Sequence, residues 1–501
     1  AVARTDANGN ITRYVVDADN RVSYQVDAEG GVTGYAYDGN GRVVQTRRYA
    51  TPMPVAGLPL ALAASDIQAT ADAAHDNITN HLYDRDGRLV FTVNGLGAVT
   101  ESRYDGNGNL VRSIGYKNAL ADNTVLTVDA VRAALNAPGF RDAAHDALTV
   151  NVYDAGNRVV RQADASGAVT AFQYDGNGNV IDRIGYATRL AAADIAQLAQ
   201  TGYVPPLPAA DVTRDQHARM VYDAGNRLIA TATAQRVDAS GYLQWSVSKQ
   251  TWDGAGHPTS RSEYGTLLSS QNLVASPTQA SVLTWINALA ANPSTDRITR
   301  MAYDTAGRLG FTINGINTVT QQVYDSTGNV IQHKTYATPL VLAPLSVTAA
   351  TVQGAVTANA ADHVVRTVYD AAGRAVVAID AAGGVTENQY DALGNITATR
   401  AYATPINVAT LPAAPTLAAV KALLVADAAS DRIERHVFDG DSRLIYTIDA
   451  KGDVKQSVYD ALGRIVKTVQ YGTPIATATA ATKAAVDTAL AAQTAAAHAQ
   501  D

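Results

Sequence analysis

Short apolar runs alternate with turn residues along the whole chain. In the segment LYDRDGRLVFTVNGLGAVTESRYDGNGNLVRSIGY (82–116), an Asp or Asn and a Gly three residues later recur every ten or eleven residues. The first residue of such a turn accepts a backbone N–H, and the glycine readily takes a positive φ. The intervening runs of about six residues are rich in Val, Leu, Thr, Tyr and Phe, as short strands are. The pattern predicts a series of hairpins.

The turn residues are therefore predicted to be architectural. The residues assigned to this role are Asp84, Gly87, Asp105, Gly108, Asp175, Gly178, Asp391, Gly394, Asp460 and Gly463. We predict positive φ at these five glycines. Asn157 and Asn226 replace the glycine in two other turns, and Asn tolerates the left-handed conformation best among the other residues.

The same phrase recurs with a period near 70 residues. A Tyr-Asp-like pair opens each unit at Val16, Tyr83, Tyr153, Tyr222, Tyr303, Tyr369 and Phe438. A second pair follows 21 residues later in every unit except the fourth, where the offset is 30. Such a period is typical of repeat architectures. It predicts one array over 1–501, with units at 1–66, 67–136, 137–205, 206–286, 287–352, 353–421 and 422–501.

The second half of each unit is an Ala-rich spacer. TLAAVKALLVADAASDR places Leu417, Val420 and Leu424 at helical spacing, TVDAVRAALNA does the same, and SVLTWINALAANP is a third such segment. Thr-Pro after the last strand, as at Thr404-Pro405, should end the ladder because proline has no N–H. The predicted fold class is mainly β: a repetitive spiral sheet, each unit a four-stranded meander plus a short helical spacer.

Composition excludes several classes of function. The net charge is −7 and there are no long charged runs, which argues against nucleic-acid partners. No stretch approaches 18 apolar residues, which argues against membrane insertion. The chain has no cysteine, so it has no disulfides or thiol chemistry. It starts inside a repeat phrase and stops in a spacer, so we expect it to be a segment of a longer protein.

Three groups of residues invite a functional interpretation. The Asp-Gly-Asn-Gly-Asn runs at 105–109 and 175–179 resemble the opening of a calcium loop but lack its later ligands. The 24 tyrosines suit a glycan-stacking surface, although their fixed place before Asp favours a structural role. His75 and His145 occupy equal positions in two units, so they do not form a catalytic pair. No catalytic or phosphate-binding motif occurs, and we predict neither enzyme activity, metal nor cofactor.

The repeated phrase resembles the YD-repeat, or RHS-repeat, family. The family pattern is a strand, Tyr-Asp, two variable residues, Gly-Arg or Gly-Asn, and another strand, as at Tyr83 to Arg88, Tyr303 to Arg308, Tyr369 to Arg374 and Tyr459 to Arg464. The resemblance implies a long β-sheet wound into a spiral shell, found in bacterial polymorphic toxins, toxin-complex shells and teneurins. The Asp-Pro-x-Gly-like motif of self-cleaving members is absent, so autoproteolysis is not carried over.

These observations predict a structural segment of a large secreted or cell-surface bacterial protein, built as a β shell or fibre. The expected partners are further repeats of the parent chain, including end-to-end self-association. Two alternatives stay open at this point: a shell that encapsulates a toxin, and an adhesin that binds glycans or cell-surface proteins. A hollow interior would distinguish the container from a filled fibre.

Overall fold

The chain forms one continuous antiparallel sheet in a computed structural model that describes residues 2–72, 74–274, 277–340 and 347–493. Thirty strands and six α-helices lie in these residues. The Ala-rich end at 494–501, with the close of unit 7, lies outside the described residues. The predicted fold class, a mainly β repetitive sheet, is confirmed. None of the described helices is both long and apolar enough to cross a membrane.

The strands follow one another in chain order. In units 1 to 3 they are β1 (Ala3–Thr5), β2 (Ile11–Val16), β3 (Val22–Val26), β4 (Val32–Tyr37), β5 (Val43–Arg48), β6 (Asn77–Tyr83), β7 (Leu89–Asn94), β8 (Val99–Tyr104), β9 (Leu110–Gly115), β10 (Ala147–Tyr153), β11 (Val159–Asp164), β12 (Val169–Tyr174) and β13 (Val180–Gly185). In units 4 and 5 they are β14 (Gln216–Tyr222), β15 (Leu228–Val237), β16 (Leu243–Trp252), β17 (Pro258–Glu263), β18 (Leu268–Ser269), β19 (Arg297–Tyr303), β20 (Leu309–Ile313), β21 (Val319–Tyr324) and β22 (Val330–Thr335). In units 6 and 7 they are β23 (His363–Tyr369), β24 (Ala375–Ile379), β25 (Val385–Tyr390), β26 (Ile396–Ala401), β27 (Arg432–Phe438), β28 (Leu444–Ile448), β29 (Val454–Tyr459) and β30 (Ile465–Gln470).

Each spacer returns the chain to the sheet through a short helical segment. The helices are α1 (Val128–Leu135), α2 (Ala192–Ile195), α3 (Gln279–Asn287), α4 (Ala349–Ala355), α5 (Leu417–Lys421) and α6 (Lys483–Ala491). The spacer of unit 1 differs from the expected α-helix: in its described residues, 49–72 and 74–76, it forms a 3-10 turn at Ala64–Asp66 and no α-helix. Pro52, Pro54 and Pro59 stand ahead of that turn and interrupt helix formation.

The hydrophobic core is divided into seven clusters, one for each unit. In unit 2, Phe91 and Val93 of β7 pack with Val131 and Leu135 of α1. The other six clusters repeat this arrangement of central strands and spacer. Within the described residues, no cluster joins units that are distant in the sequence. The core is therefore a series of separate cores along one face of the sheet.

The long connection in unit 4 lengthens one hairpin. β15 and β16 have ten residues each, and their turn is closed by Gly241 with a φ of 83°. β18 pairs only with β16 among the described strands, and β17 pairs directly with β19. The extra residues thus project from one edge of the sheet and leave the main ladder unbroken.

The sheet curls until its two long edges meet. Asn8 donates to Asp325 and Thr327, and Ala371 N donates to Glu29 Oε1 at 3.1 Å. The partners in contacts of this kind are 317 to 347 residues apart, a distance of nearly five units. We call this line of contact between units 5 to 7 and units 1 and 2 the seam.

The seam fixes the number of strands in one revolution. The turn between β1 and β2 contacts the turn between β21 and β22, and the turn between β7 and β8 contacts the turn between β27 and β28. Since β18 lies outside the ladder, nineteen strands separate the two turns of each pair. Among the described strands, β1 pairs only with β2 and β30 only with β29. The sheet is therefore an open spiral and not a closed barrel.

Candidate functional site: the Tyr-Asp turn edge

The Tyr-Asp turns all lie along one edge of the sheet, because neighbouring strands run antiparallel and alternate turns share an edge. We call this row of turns the YD edge. The opposite row holds the middle turn of each unit together with the spacers, and we call it the spacer edge. The candidate residues Asp84, Asp105, Asp175, Asp391 and Asp460 all lie on the YD edge.

Each of these aspartates organises its own turn. Asp84 Oδ1 accepts hydrogen bonds from the backbone N–H of Asp86 at 3.0 Å and of Arg88 at 2.9 Å. Its Oδ2 accepts from Arg88 Nε at 2.8 Å. In the second turn of the unit, Asn109 replaces the arginine and donates to Asp105 Oδ2 at 2.9 Å. The carboxylate thus satisfies backbone donors that the tight turn leaves unpaired.

The turn glycines have the left-handed conformation that the sequence pattern predicts. The φ values are 80° at Gly87, 84° at Gly108, 87° at Gly178, 89° at Gly394 and 75° at Gly463. The replacing asparagines, Asn157 and Asn226, have φ values of 58° and 59°.

Consecutive YD turns are joined by an arginine and an aromatic ring. In unit 6, Arg374 Nη1 donates to the carbonyl of Asp391 at 3.0 Å, and its guanidinium lies 4.8 Å from the ring centroid of Tyr390. The Tyr390 hydroxyl donates to the carbonyl of Ala375 at 2.8 Å. The rings that lie against arginine in the same way are Tyr37, Tyr104, Tyr174, Trp252, Tyr324 and Tyr459. These contacts connect the turns within each unit.

Hydrogen bonding lowers the pKa of several turn carboxylates, among them Asp84, Asp105, Asp325 and Asp460. The Asn109 side chain and backbone donors of its turn lower the pKa of Asp105. At Asp84 and Asp460 burial acts against ionisation, but backbone donors and the following arginine lower the pKa below its ordinary value. At Asp325 burial also favours the neutral form, but hydrogen bonds from Asn329 and from the rest of the turn outweigh it and lower the pKa to about 2.

The array should lose stability in acid. A carboxyl group with a lowered folded pKa stabilises the protein above its unfolded pKa of about 3.9, and this contribution disappears as the pH falls through the folded pKa. We expect the melting temperature to be level above about pH 5 and to fall steeply between about pH 4 and 2. Melting curves recorded at constant ionic strength over this pH range measure the fall. The double variant D105N/D175N should show a smaller fall in melting temperature, because Asn94 and Asn314 already hold equivalent turns without a charge. A melting temperature independent of pH in this window would contradict the assigned role.

The Asp-Gly-Asn-Gly-Asn runs form ordinary members of this row. Both oxygens of Asp105 accept hydrogen bonds from its own loop, Oδ1 from Asn107 N and Asn109 N, and Oδ2 from Asn109 Nδ2. In the described part of the chain, no group of three His, Asp or Glu residues is placed to hold a metal ion. His75 and His145 each lie within hydrogen-bond distance of the aspartate three residues earlier.

A second set of aspartates, at the end of each spacer, escaped the sequence analysis. Asp146 Oδ1 accepts from Lys117 N at 2.9 Å, and its Oδ2 accepts from Asp142 N at 3.0 Å, which fixes the spacer to the strand exit. The equivalent residues are Asp76, Asp215, Asp296, Asp362 and Asp431. The sequence does carry a signal for these residues, because an Asp stands directly before the first strand of every unit from 2 to 7.

The fold and the turn edge define a class: a repeat protein in which a four-strand unit extends one spiral sheet. A family model described as RHS Repeat matches residues 153–188, from the end of β10 to the exit of β13. This match confirms the resemblance to the YD-repeat, or RHS-repeat, family. No match to the chain is found among curated proteins.

Three solved structures are similar to the chain over nearly its whole length. The crystal structure of TcdB2-TccC3 has a TM-score of 0.45 and 14% identity, covering 94% of this chain and 24% of that one. The form without the hypervariable C-terminal region has a TM-score of 0.45 and 13% identity, with 95% and 27% covered. A Tc holotoxin pore from Photorhabdus luminescens has a TM-score of 0.42 and 12% identity, with 92% and 21% covered. The chain thus spans about a quarter of the length of these chains.

Proposed function

We propose that this chain is a segment of the wall of a tubular β shell and has a structural, non-enzymatic role. The observation that carries the proposal is the seam, which brings the YD edge of one revolution against the spacer edge of the revolution before it. A sheet that meets itself in this way encloses an axis. The remaining question is whether that axis is filled, as in a fibre, or empty, as in a container.

The strand count gives the width of the tube. Nineteen strands spaced by about 4.8 Å extend roughly 90 Å around the axis, which corresponds to about 30 Å between opposite backbones. The separate unit cores agree with a wall, because a filled fibre needs a core that is shared across the axis. In the described residues each cluster stays within one unit and its immediate neighbour.

The spacers do not fit inside a tube of this width. Helices pack about 10 Å from a sheet, so an inner layer would lie on a ring of radius about 5 Å and circumference about 30 Å. About five spacers occur in each revolution, and helices about 10 Å wide would need roughly 50 Å of circumference. We therefore place the spacers outside the sheet and the uncovered face inside.

The face turned away from the spacers would then line the interior. In β8, Glu101 contacts Tyr116 on the spacer side, so its neighbours Thr100 and Ser102 point to the other face. After side chains of about 5 Å on each wall, a channel of roughly 20 Å is left. Such a channel admits an extended chain or a single helix, but it is too narrow for a folded domain of about 100 residues. An encapsulated partner, such as a toxin segment, would be held without its tertiary fold.

The adhesin alternative has less support in the geometry. Five tyrosine hydroxyls donate hydrogen bonds to main-chain carbonyls of their own unit, which removes their polar tips from glycan recognition; these are Tyr104, Tyr174, Tyr324, Tyr390 and Tyr459.

The proposal includes a bacterial extracellular or cell-surface location, since a shell that holds cargo acts outside the cell that makes it.

Distances between paired spin labels distinguish a container from a fibre. T100C with T320C places labels on the uncovered face of β8 and β21, which are twelve ladder strands apart. D129C with A350C is the matched pair on the helices of the same units, at exposed positions. The chain has no native cysteine, so only these positions are labelled.

For a hollow tube with external spacers, we expect a label-to-label distance of about 20–25 Å for T100C/T320C and of about 45 Å or more for D129C/A350C. If the D129C/A350C distance is instead shorter than the T100C/T320C distance, the spacers fill the axis. The container would then be rejected in favour of a fibre. A distance near 60 Å for the first pair would mean that the sheet does not curl at all, and the shell proposal would fail.

A further inference from the structure

A cavity of about 430 Å³ opens on the spacer side of unit 2, between α1, the strands β7 and β8, and the spacer of unit 3. Guanidinium groups predominate among its charged lining residues, which are Arg88, Arg103, Arg132, Arg141, Asp84 and Glu101. Four positive charges thus face two negative ones, so the lining carries an excess of two positive charges at neutral pH.

Two of the arginines are neutralised by the two carboxylates. Glu101 is buried, and its oxygens accept hydrogen bonds from Arg103 Nε and Nη2, each at 2.9 Å. The Tyr116 hydroxyl donates to the same carboxylate at 2.5 Å. Arg88 Nε donates to Asp84 Oδ2 at 2.8 Å. Both carboxylates of the cavity are therefore already paired.

The other two arginines are not neutralised. Arg141 makes no ion pair within the described residues; its Nε donates to the carbonyl of Leu135 at 3.2 Å and its Nη2 donates to Asn136 Oδ1 at 2.9 Å. Arg132 lies 3.5 Å from Asp129 Oδ1, which is almost fully exposed, and exposed ion pairs of this kind contribute little. Two guanidinium groups thus line the cavity without a buried counter-ion.

Unit 6 shows a paired cation at the same helix position. Lys421 is the fifth residue of α5, as Arg132 is of α1. Its Nζ lies 3.3 Å from Oε1 of Glu387, which holds the same place in β25 as Glu101 holds in β8. In unit 2, Arg103 already occupies that glutamate on both oxygens. The cation of unit 2 is therefore in excess.

Contacts across the seam do not cover this position. The spacer edge of unit 2 already carries unit 7, since Ala461 N donates to the carbonyl of Lys117 at 3.2 Å. The YD edge of unit 6 lies on unit 1 through Ala371, and yet the Lys421 side chain remains 54% exposed. The Arg132 side chain is 51% exposed, which is nearly the same value. A neighbouring revolution therefore leaves this helix position open to solvent.

We infer that this cavity is a binding site for a small molecule that carries a phosphate group, with Arg132 and Arg141 as the residues that bind it. A guanidinium presents parallel N–H donors that match the oxygens of a phosphate. A phosphate monoester has a charge of about −1.5 to −2 at neutral pH, which balances two arginines, whereas a carboxylate balances one. The volume lies in the range of small-molecule sites. The site is in the wall itself, so its occupancy does not depend on whether the tube is hollow.

Isothermal titration calorimetry of the whole chain at about pH 8 and constant ionic strength measures this binding, with glucose 6-phosphate, inorganic phosphate and glucuronate as probes. We expect both phosphates to bind with one molecule per chain, and glucuronate, which has a single negative charge, to bind at least about fivefold more weakly. Tighter binding of glucose 6-phosphate than of inorganic phosphate would assign the site to a phosphate ester, and equal affinities would assign it to the phosphate group alone.

The double variant R132Q/R141Q should bind both phosphates at least about tenfold more weakly. R132Q alone should keep the melting temperature of the parent, because Arg132 makes no hydrogen bond in the part of the chain that the structure describes, and should still weaken binding at least about threefold. K421Q is the matched control, because it removes a cation that is already paired at the same helix position, and it should leave the affinity unchanged.

Modification of arginines by phenylglyoxal locates the bound phosphate. Inorganic phosphate should slow the reaction of Arg132 and Arg141 at least about fivefold, read by mass spectrometry of peptides, and should leave the exposed Arg214 unaffected. The inference would be overturned by a parent chain that binds no phosphate, by an equal loss of affinity in K421Q, by protection that spares both arginines, or by glucuronate binding as tightly as the phosphates.

Discussion

Replacing Gly383 with alanine should unfold unit 6 at denaturant concentrations where the rest of the array stays folded. Gly383 closes the middle turn of the unit with a φ of 88°, and its carbonyl accepts a hydrogen bond from Ile406 N at 2.8 Å. A Cβ at this position would lie 2.0 Å from the backbone oxygen of Ile406. The same approach occurs at Gly30 with Met53 and at Gly452 with Ile475.

Two costs add up at this position. A non-glycine residue in the left-handed region costs about 1–2 kcal/mol, and forcing the exit strand away from the turn costs a further 2–3 kcal/mol or so. We therefore expect G383A to lower the free energy of unfolding of unit 6 by about 3–5 kcal/mol. Urea titration with hydrogen exchange read on peptides of unit 6 measures this change.

Gly373 supplies the matched control within the same unit. Its φ is 76°, yet no atom of the described residues beyond its chain neighbours lies within 4 Å of the place a Cβ would occupy. G373A should therefore cost only the conformational term, about 1–2 kcal/mol. If the two substitutions destabilise unit 6 equally, the close approach of the exit strand contributes nothing and the explanation is wrong.

A single unit taken out of the array should not fold. The core of unit 2 includes Phe140 and Leu148, which belong to the next unit, and Arg112 donates to the carbonyls of Leu198 and Tyr203 in the spacer of unit 3. Excision also removes the pairing partners of β6 and β9. A fragment of about 70 residues buries too little surface to offset these losses.

We expect residues 67–136 to give a disordered circular dichroism spectrum without a cooperative urea transition, whereas residues 1–205 should show both a β spectrum and a cooperative transition. The longer fragment lacks the seam but keeps two complete unit interfaces, and nearest-neighbour contacts dominate the stability of repeat arrays. A cooperative transition in the single unit would show that the units are independent domains, which is incompatible with one continuous sheet.

The strands and YD turns could be predicted because their determinants are local. Asp105 and Gly108 form a turn through contacts within five residues, and the apolar runs on either side need only a neighbour to pair with. The helix at TVDAVRAALNA was likewise predictable, since Val131 and Leu135 fall on one face and are fully buried. The helix predicted from Leu417 ends at Lys421, earlier than the pattern suggested.

The features that sequence reasoning missed depend on distant parts of the chain. Gly383 could be recognised as a turn glycine, but its approach to Ile406 depends on the path of the exit strand. The seam was hidden for the same reason, because the curvature of nineteen strands decides which residues meet, and no local pattern records it. Leu462 therefore looked like one more variable residue of the motif, although it lies against Gly115.

The seam also limits how such a gene can change its length. Recombination between two repeats could delete one whole unit and still leave every strand with a neighbour. It would, however, bring each later turn over a different part of the first revolution, so that Leu462 would face Arg48, the position in β5 that corresponds to Gly115 in β9. Gain or loss of single units should therefore be selected against in this array, whereas the exchange of one unit for another of equal length preserves the match between revolutions.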